Sequence, residues 1–78
     1  MPRSISQIAA EIREDWKKID PFANEYLKAM FSLDSIHDNY YFDPGVEIVL
    51  RFLCNAGSWR GETARRIKKE LRDLAKQA

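Results

Sequence analysis

The chain has 78 residues, a formal net charge of +1 and a single cysteine. That length makes one domain, residues 1–78, near the size where folding buries only about 60% of the unfolded surface, so idealised helices or a partner chain must help. One cysteine excludes an intrachain disulfide and a zinc framework and fits a reducing cytoplasm, while Met1-Pro2-Arg3-Ser4 lacks a signal peptide's apolar run and no later stretch is long enough to span a membrane.

Ser4 with Gln7 three residues later reads as a capping-box start. Ile5, Ile8, Ala9, Ile12, Trp16 and Ile19 then share about 100° of a helical wheel, predicting a one-faced helix over 4–19. Its back carries Glu11, Arg13, Glu14, Lys17 and Lys18, a solvated face with Glu14 and Lys18 spaced to pair. Asp20-Pro21 supplies a new N-cap and a proline at the first helical position, opening a second helix over 21–32. Phe22, Ala23, Tyr26, Leu27, Ala29, Met30, Phe31 and Leu33 spread over about 200° there, more than a flanking helix needs.

The stretch from Asp34 to Asp43 is dense in Asp, Ser and Asn, which predicts turns and caps and allows an extra short helix at 35–40. Ile36, Tyr40 and Phe42 are expected to pack inward as a lid. Asp34, Asp38, Tyr40 and Tyr41 can alternatively form an exposed acidic and aromatic interaction patch. Calcium is not expected, because Asp34, Asp38, Asp43 and Glu47 lack the alternating ligands and central glycine of a calcium loop.

A third helix, 44–56, is predicted between an Asp43 N-cap with Pro44 at the first helical position and a left-handed Gly57 with Ser58 capping the next helix. Val46, Ile48, Val49, Leu50, Phe52, Leu53 and Ala56 again cover about 200°, so this helix is expected at the centre, flanked by the first and fourth. Leu53 should be buried, and Cys54, at the edge of the polar strip, half-buried and slow to react. The fourth helix, 59–76, turns Ala64, Ile67, Leu71, Leu74, Ala75 and Ala78 to the core, with Trp59 off that stripe and closing over the preceding turn. The fold class is therefore all-α, a small bundle of four helices.

Charge is spread unevenly: residues 20–47 hold one basic and six acidic groups, residues 58–78 seven basic and three acidic. Arg65, Lys68, Lys69, Arg72 and Lys76 occupy one contiguous arc of the fourth helix. A basic helix following another across a short turn has the outline of a helix-turn-helix DNA reader. Against that stand the scarcity of small polar residues to read base edges and the nearness of Glu62, Glu70 and Asp73. Arg66–Glu70 and Lys69–Asp73 are spaced to pair, and late cations also suit the helix dipole. Catalysis has no constellation: His37 sits in a polar turn, Cys54 has no marked base, and Gly57 and Gly61 do not make a phosphate loop. No enzyme, cofactor or metal is expected.

Two stretches, Leu33-Asp34-Ser35-Ile36-x-Asp38-Asn39-Tyr40 and Trp59-Arg60-Gly61-Glu62-Thr63-Ala64-Arg65-Arg66-Ile67-Lys68-Lys69-Glu70-Leu71, resemble those of a family of short bacterial proteins associated with plasmids, phages and other mobile elements. The resemblance spans nearly the whole chain, and its second stretch is the more specific. It implies a bacterial, mobile-element setting and brings no catalytic residue. The functional expectation is a protein-binding regulatory or adaptor module, with DNA binding through the basic arc as the alternative. A homodimer is expected to bury the surplus apolar face of the second helix.

Overall fold

A computed structural model describes residues 3–77, so the expected core position of Ala78 lies outside the described residues. The elements are α1 (Ile5–Asp15), α2 (Pro21–Met30), β1 (Asn39–Tyr40), β2 (Asp43–Pro44), α3 (Gly45–Cys54) and α4 (Glu62–Lys76). The helices close a ring, each packing on the next and α4 returning to α1. Helix α3 touches the most neighbours, as expected, but those are α2, α4 and both strands; α2 rather than α1 flanks it.

The starts of α1 and α2 follow from their caps. Ser4 Oγ accepts from Gln7 N at 3.2 Å while Ser4 N donates to Gln7 Oε1 at 3.0 Å. The next two amides of α1 are satisfied from outside the helix: Ile5 N donates to the Asp34 carbonyl and Ser6 N to the Leu33 carbonyl, both at 2.9 Å. Asp20 Oδ1 accepts from Phe22 N and Ala23 N, at 2.8 and 3.3 Å.

The ends of the elements depart further from the periodicity, and two tryptophans explain most of it. Helix α1 stops at Asp15 because Trp16 leaves the helical register, at φ −93° and ψ 92°, to enter the core. There it stacks on Trp59 with ring centroids 5.7 Å apart, and both indoles meet Phe52 edge-on, at 6.2 and 6.4 Å. Lys18 consequently lies beyond the helix and does not pair with Glu14. Burying Trp59 likewise delays α4 to Glu62, with Gly61 rather than Ser58 at the N-cap. The left-handed glycine is Gly61, at φ 116°, not Gly57. Trp59 Nε1 donates to Asp15 Oδ2 at 2.8 Å, giving the buried indole its polar partner.

Between α2 and α3 a capped turn and a tight hairpin take the place of an extra helix. Asp38 Oδ2 accepts from the amides of Asp34 and Ser35, each at 3.0 Å, which fixes a turn. Strands β1 and β2 then pair antiparallel, Asn39 with Pro44 and Tyr40 with Asp43. Asp43 is therefore committed to the hairpin, and extended Pro44 (ψ 141°) is itself the N-cap of α3, which has no side-chain cap. Gly45 N donates instead to the Asp38 carbonyl at 2.7 Å.

The core is wholly apolar among the described residues, with no buried polar or charged side chain. Of α3's wide apolar arc, Ile48, Val49 and Phe52 are buried, Val46 and Leu53 only half-buried, and Leu50 is 46% exposed. Leu53 is thus less deeply placed than expected, and the buried position beside it is Phe52. Cys54 is exposed rather than half-buried, because α3 turns that edge away from the ring. On α2 the chain itself covers Ala23, Leu27, Ala29 and Met30, leaving Phe22 exposed.

Candidate functional site

Two surfaces stand out, and they differ in chemistry. The first is the outer face of α4. Its inner face, Ala64, Ile67, Leu71 and Leu74, is buried, which directs Arg65, Arg72 and Lys76 into solvent with Lys68 half-buried beside them. Arg60, in the preceding turn, joins Arg65 and Lys68 around a shallow depression of about 280 Å³ floored by Trp59 and Ala64. Lys68 Nζ donates to the Trp59 carbonyl at 2.6 Å and lies 5.8 Å from the indole centroid. Burial, and then repulsion from Arg72 and Arg60, lowers the pKa of its ammonium.

Of the three carboxylates expected to spoil this face, Glu70 and Asp73 are ion-paired. Glu70 takes a two-pronged contact from Arg3, Nε to Oε2 at 3.1 Å and Nη2 to Oε1 at 2.7 Å. Arg3 also reaches Glu11 Oε1 at 2.6 Å, and Arg66 pairs with the other oxygen of Glu11. Arg66 therefore serves α1 instead of its expected neighbour Glu70, and Glu11 belongs to a clasp between α1 and α4 rather than to a solvated back. Hydrogen bonds from Arg3 and then Arg66 hold the Glu11 carboxyl below its ordinary pKa. Lys69 pairs with Asp73 at 3.4 Å, as its spacing suggests, and so is partly withdrawn from the basic arc.

The second surface is the β1–β2 hairpin. Its two connecting residues are both aromatic and both outside the core: Tyr41 is 84% exposed and Phe42 100%. Phe42 is thus no part of a lid, a role left to buried Ile36 and half-buried Tyr40. A two-residue connection needs a backbone turn that glycine or asparagine supplies most easily. Here Tyr41 adopts it, at φ 55°, the one non-glycine residue with positive φ among those described. Its ring meets Tyr40 edge-on at 4.8 Å.

The expected acidic and aromatic patch is accordingly divided. Asp34 is exposed and lends its carbonyl to α1, while Asp38 is spent on capping its own turn. The amides of Ser35 and then Asp34 hold the Asp38 carboxyl below its ordinary range. Tyr41 with Phe42 remains as the projecting part, and Phe42 is the member that the periodicity misassigned.

Among the described residues no three His, Cys, Asp or Glu side chains gather to hold a metal ion, and no helix is long and apolar enough to cross a membrane. Compared with protein families, curated proteins and solved structures, the chain matches none.

Proposed function

We propose that this is a non-catalytic protein-binding module whose recognition element is the Tyr41-Phe42 hairpin tip. The observation that carries the reading is a strained backbone spent on exposed aromatic side chains. A left-handed non-glycine residue costs roughly 1–2 kcal/mol, and the core gains nothing from Phe42, which is fully exposed. Large aromatics on a short rigid turn are the side chains that dominate protein interfaces, where each fills a desolvated pocket at little entropic cost. The fitting partner is a protein offering an apolar cleft for Phe42, with a hydrogen-bonding group near its rim for the Tyr41 hydroxyl. A mobile-element setting, implied by the sequence resemblance, suits a small protein that acts by binding a larger one.

Replacing the tip by the best turn formers, Tyr41→Asn with Phe42→Gly, tests this without attacking the core. The melting temperature is expected to hold or rise, while a partner retained from host extract by the wild-type chain is lost. Undiminished recovery of the same partner by the folded double variant would refute the reading.

A further inference from the structure

Beyond the hairpin, and independently of it, we propose that the outer face of α4 binds duplex DNA through its phosphate backbone, without reading sequence. Arg65, Lys68, Arg72 and Lys76 recur every three or four residues along the helix, and Arg60 extends the row past its start. None of the five is ion-paired among the described residues. At about 5.4 Å per turn the row spans about 16 Å, so successive cations can meet successive phosphates of one strand.

The clasp takes one of the three carboxylates of α4 out of the balance. Arg3 lies 67 positions from Glu70 in the chain and neutralises it. Asp73 is answered by Lys69. Glu62, in the first turn, has no ion-pair partner among the described residues and lies beside Arg65 at one end of the row, more than a turn along the axis from Lys68, Arg72 and Lys76.

The same face argues against other polyanionic partners. It has no exposed apolar side chain to enter a lipid surface or anchor a protein, since Ala64, Ile67, Leu71 and Leu74 are all in the core. It has no exposed aromatic on which single-stranded bases could stack, because Trp59 is buried. From Arg65 to Lys76 there is no Asn, Gln, Ser or Thr, the small polar residues that join Arg and Lys in reading base edges. A major groove wide enough to admit a helix, flanked by phosphates, is the complementary shape.

Fluorescence anisotropy with short labelled duplexes of two unrelated sequences, titrated across salt concentrations, tests the assignment. The two duplexes should bind alike, and log K should fall against log salt with a slope of about −4, as expected for four or five phosphate contacts. The Arg65→Gln/Arg72→Gln double variant should reduce that slope by about 2 and weaken binding at least tenfold at low salt. A Lys17→Gln/Lys18→Gln variant, with equal charge loss on exposed residues outside α4, should bind as the wild type does. Circular dichroism checks that both variants are folded, and single Arg72→Gln and Lys76→Gln variants stand in if the double variant is not. No duplex binding at low salt, equal loss in both double variants, or tighter binding of single strands, double-stranded RNA or polyglutamate would overturn the proposal.

Discussion

At the scale of single residues, what decides this structure is where a side chain will not fit or must turn inward. Gly45 is the clearest case: a Cβ there would sit 2.5 Å from the Asp38 carbonyl oxygen and 3.3 Å from that of Ile36. Helix α3 can dock against the 36–38 turn only because this position has no side chain. Gly45→Ala should therefore cost about 1–3 kcal/mol despite the better helix propensity of alanine. Urea denaturation measures it, and a variant as stable as the wild type would show that the turn is not held against α3. Nothing local announces this contact, since a glycine after Asp-Pro reads equally well as part of a turn. Tyr41 shows the same limit. Its left-handed backbone is set by the pairing on either side, and no Asn-Gly signal betrays the hairpin.

Elements were legible in proportion to how local their causes are. Ser4 with Gln7 and Asp20 with Pro21 cap α1 and α2 through neighbours within three positions, and both starts follow from the sequence. The end of α1 and the start of α4 depend on Trp16 and Trp59 finding each other across 43 positions, and periodicity has no access to that. The basic arc of α4 and the Lys69–Asp73 pair were visible on a helical wheel, whereas the engagement of Glu70 was not, because Arg3 arrives from the other end of the chain. That clasp makes a pH-dependent link between α1 and α4. Glu11 has its folded-state pKa lowered by Arg3 and Arg66, so its stabilisation is complete above the ordinary carboxyl value of the unfolded chain and is lost as pH falls through the lower folded value. Glu11→Gln should lower stability by up to about 1 kcal/mol at neutral pH, the range of part-exposed ion pairs, and flatten the loss in acid. Melting temperature against pH would show it as two converging curves, and parallel curves would contradict it.

For the molecule as a whole, the four helices close a ring around an apolar core. The sequence left an apolar surplus on the second helix and suggested a homodimer to bury it. Folding covers Ala23, Leu27, Ala29 and Met30 of that surplus but leaves Phe22 (72% exposed) and Phe31 outside, while Tyr41 and Phe42 project at the hairpin tip and Leu50 is exposed on α3. The buried core includes neither Tyr41 nor Phe42, so the recognition proposed for them is separate from packing, and self-association is an outcome that the measurement below distinguishes. The most direct measurement places a photo-crosslinking amino acid at position 42, and separately at exposed position 25 on α2 as a control, in cells of the source organism. The account predicts a discrete adduct with another protein from position 42, none from position 25, and none when purified chain is irradiated alone. No adduct from position 42, or one at twice the chain mass from purified protein, would contradict it.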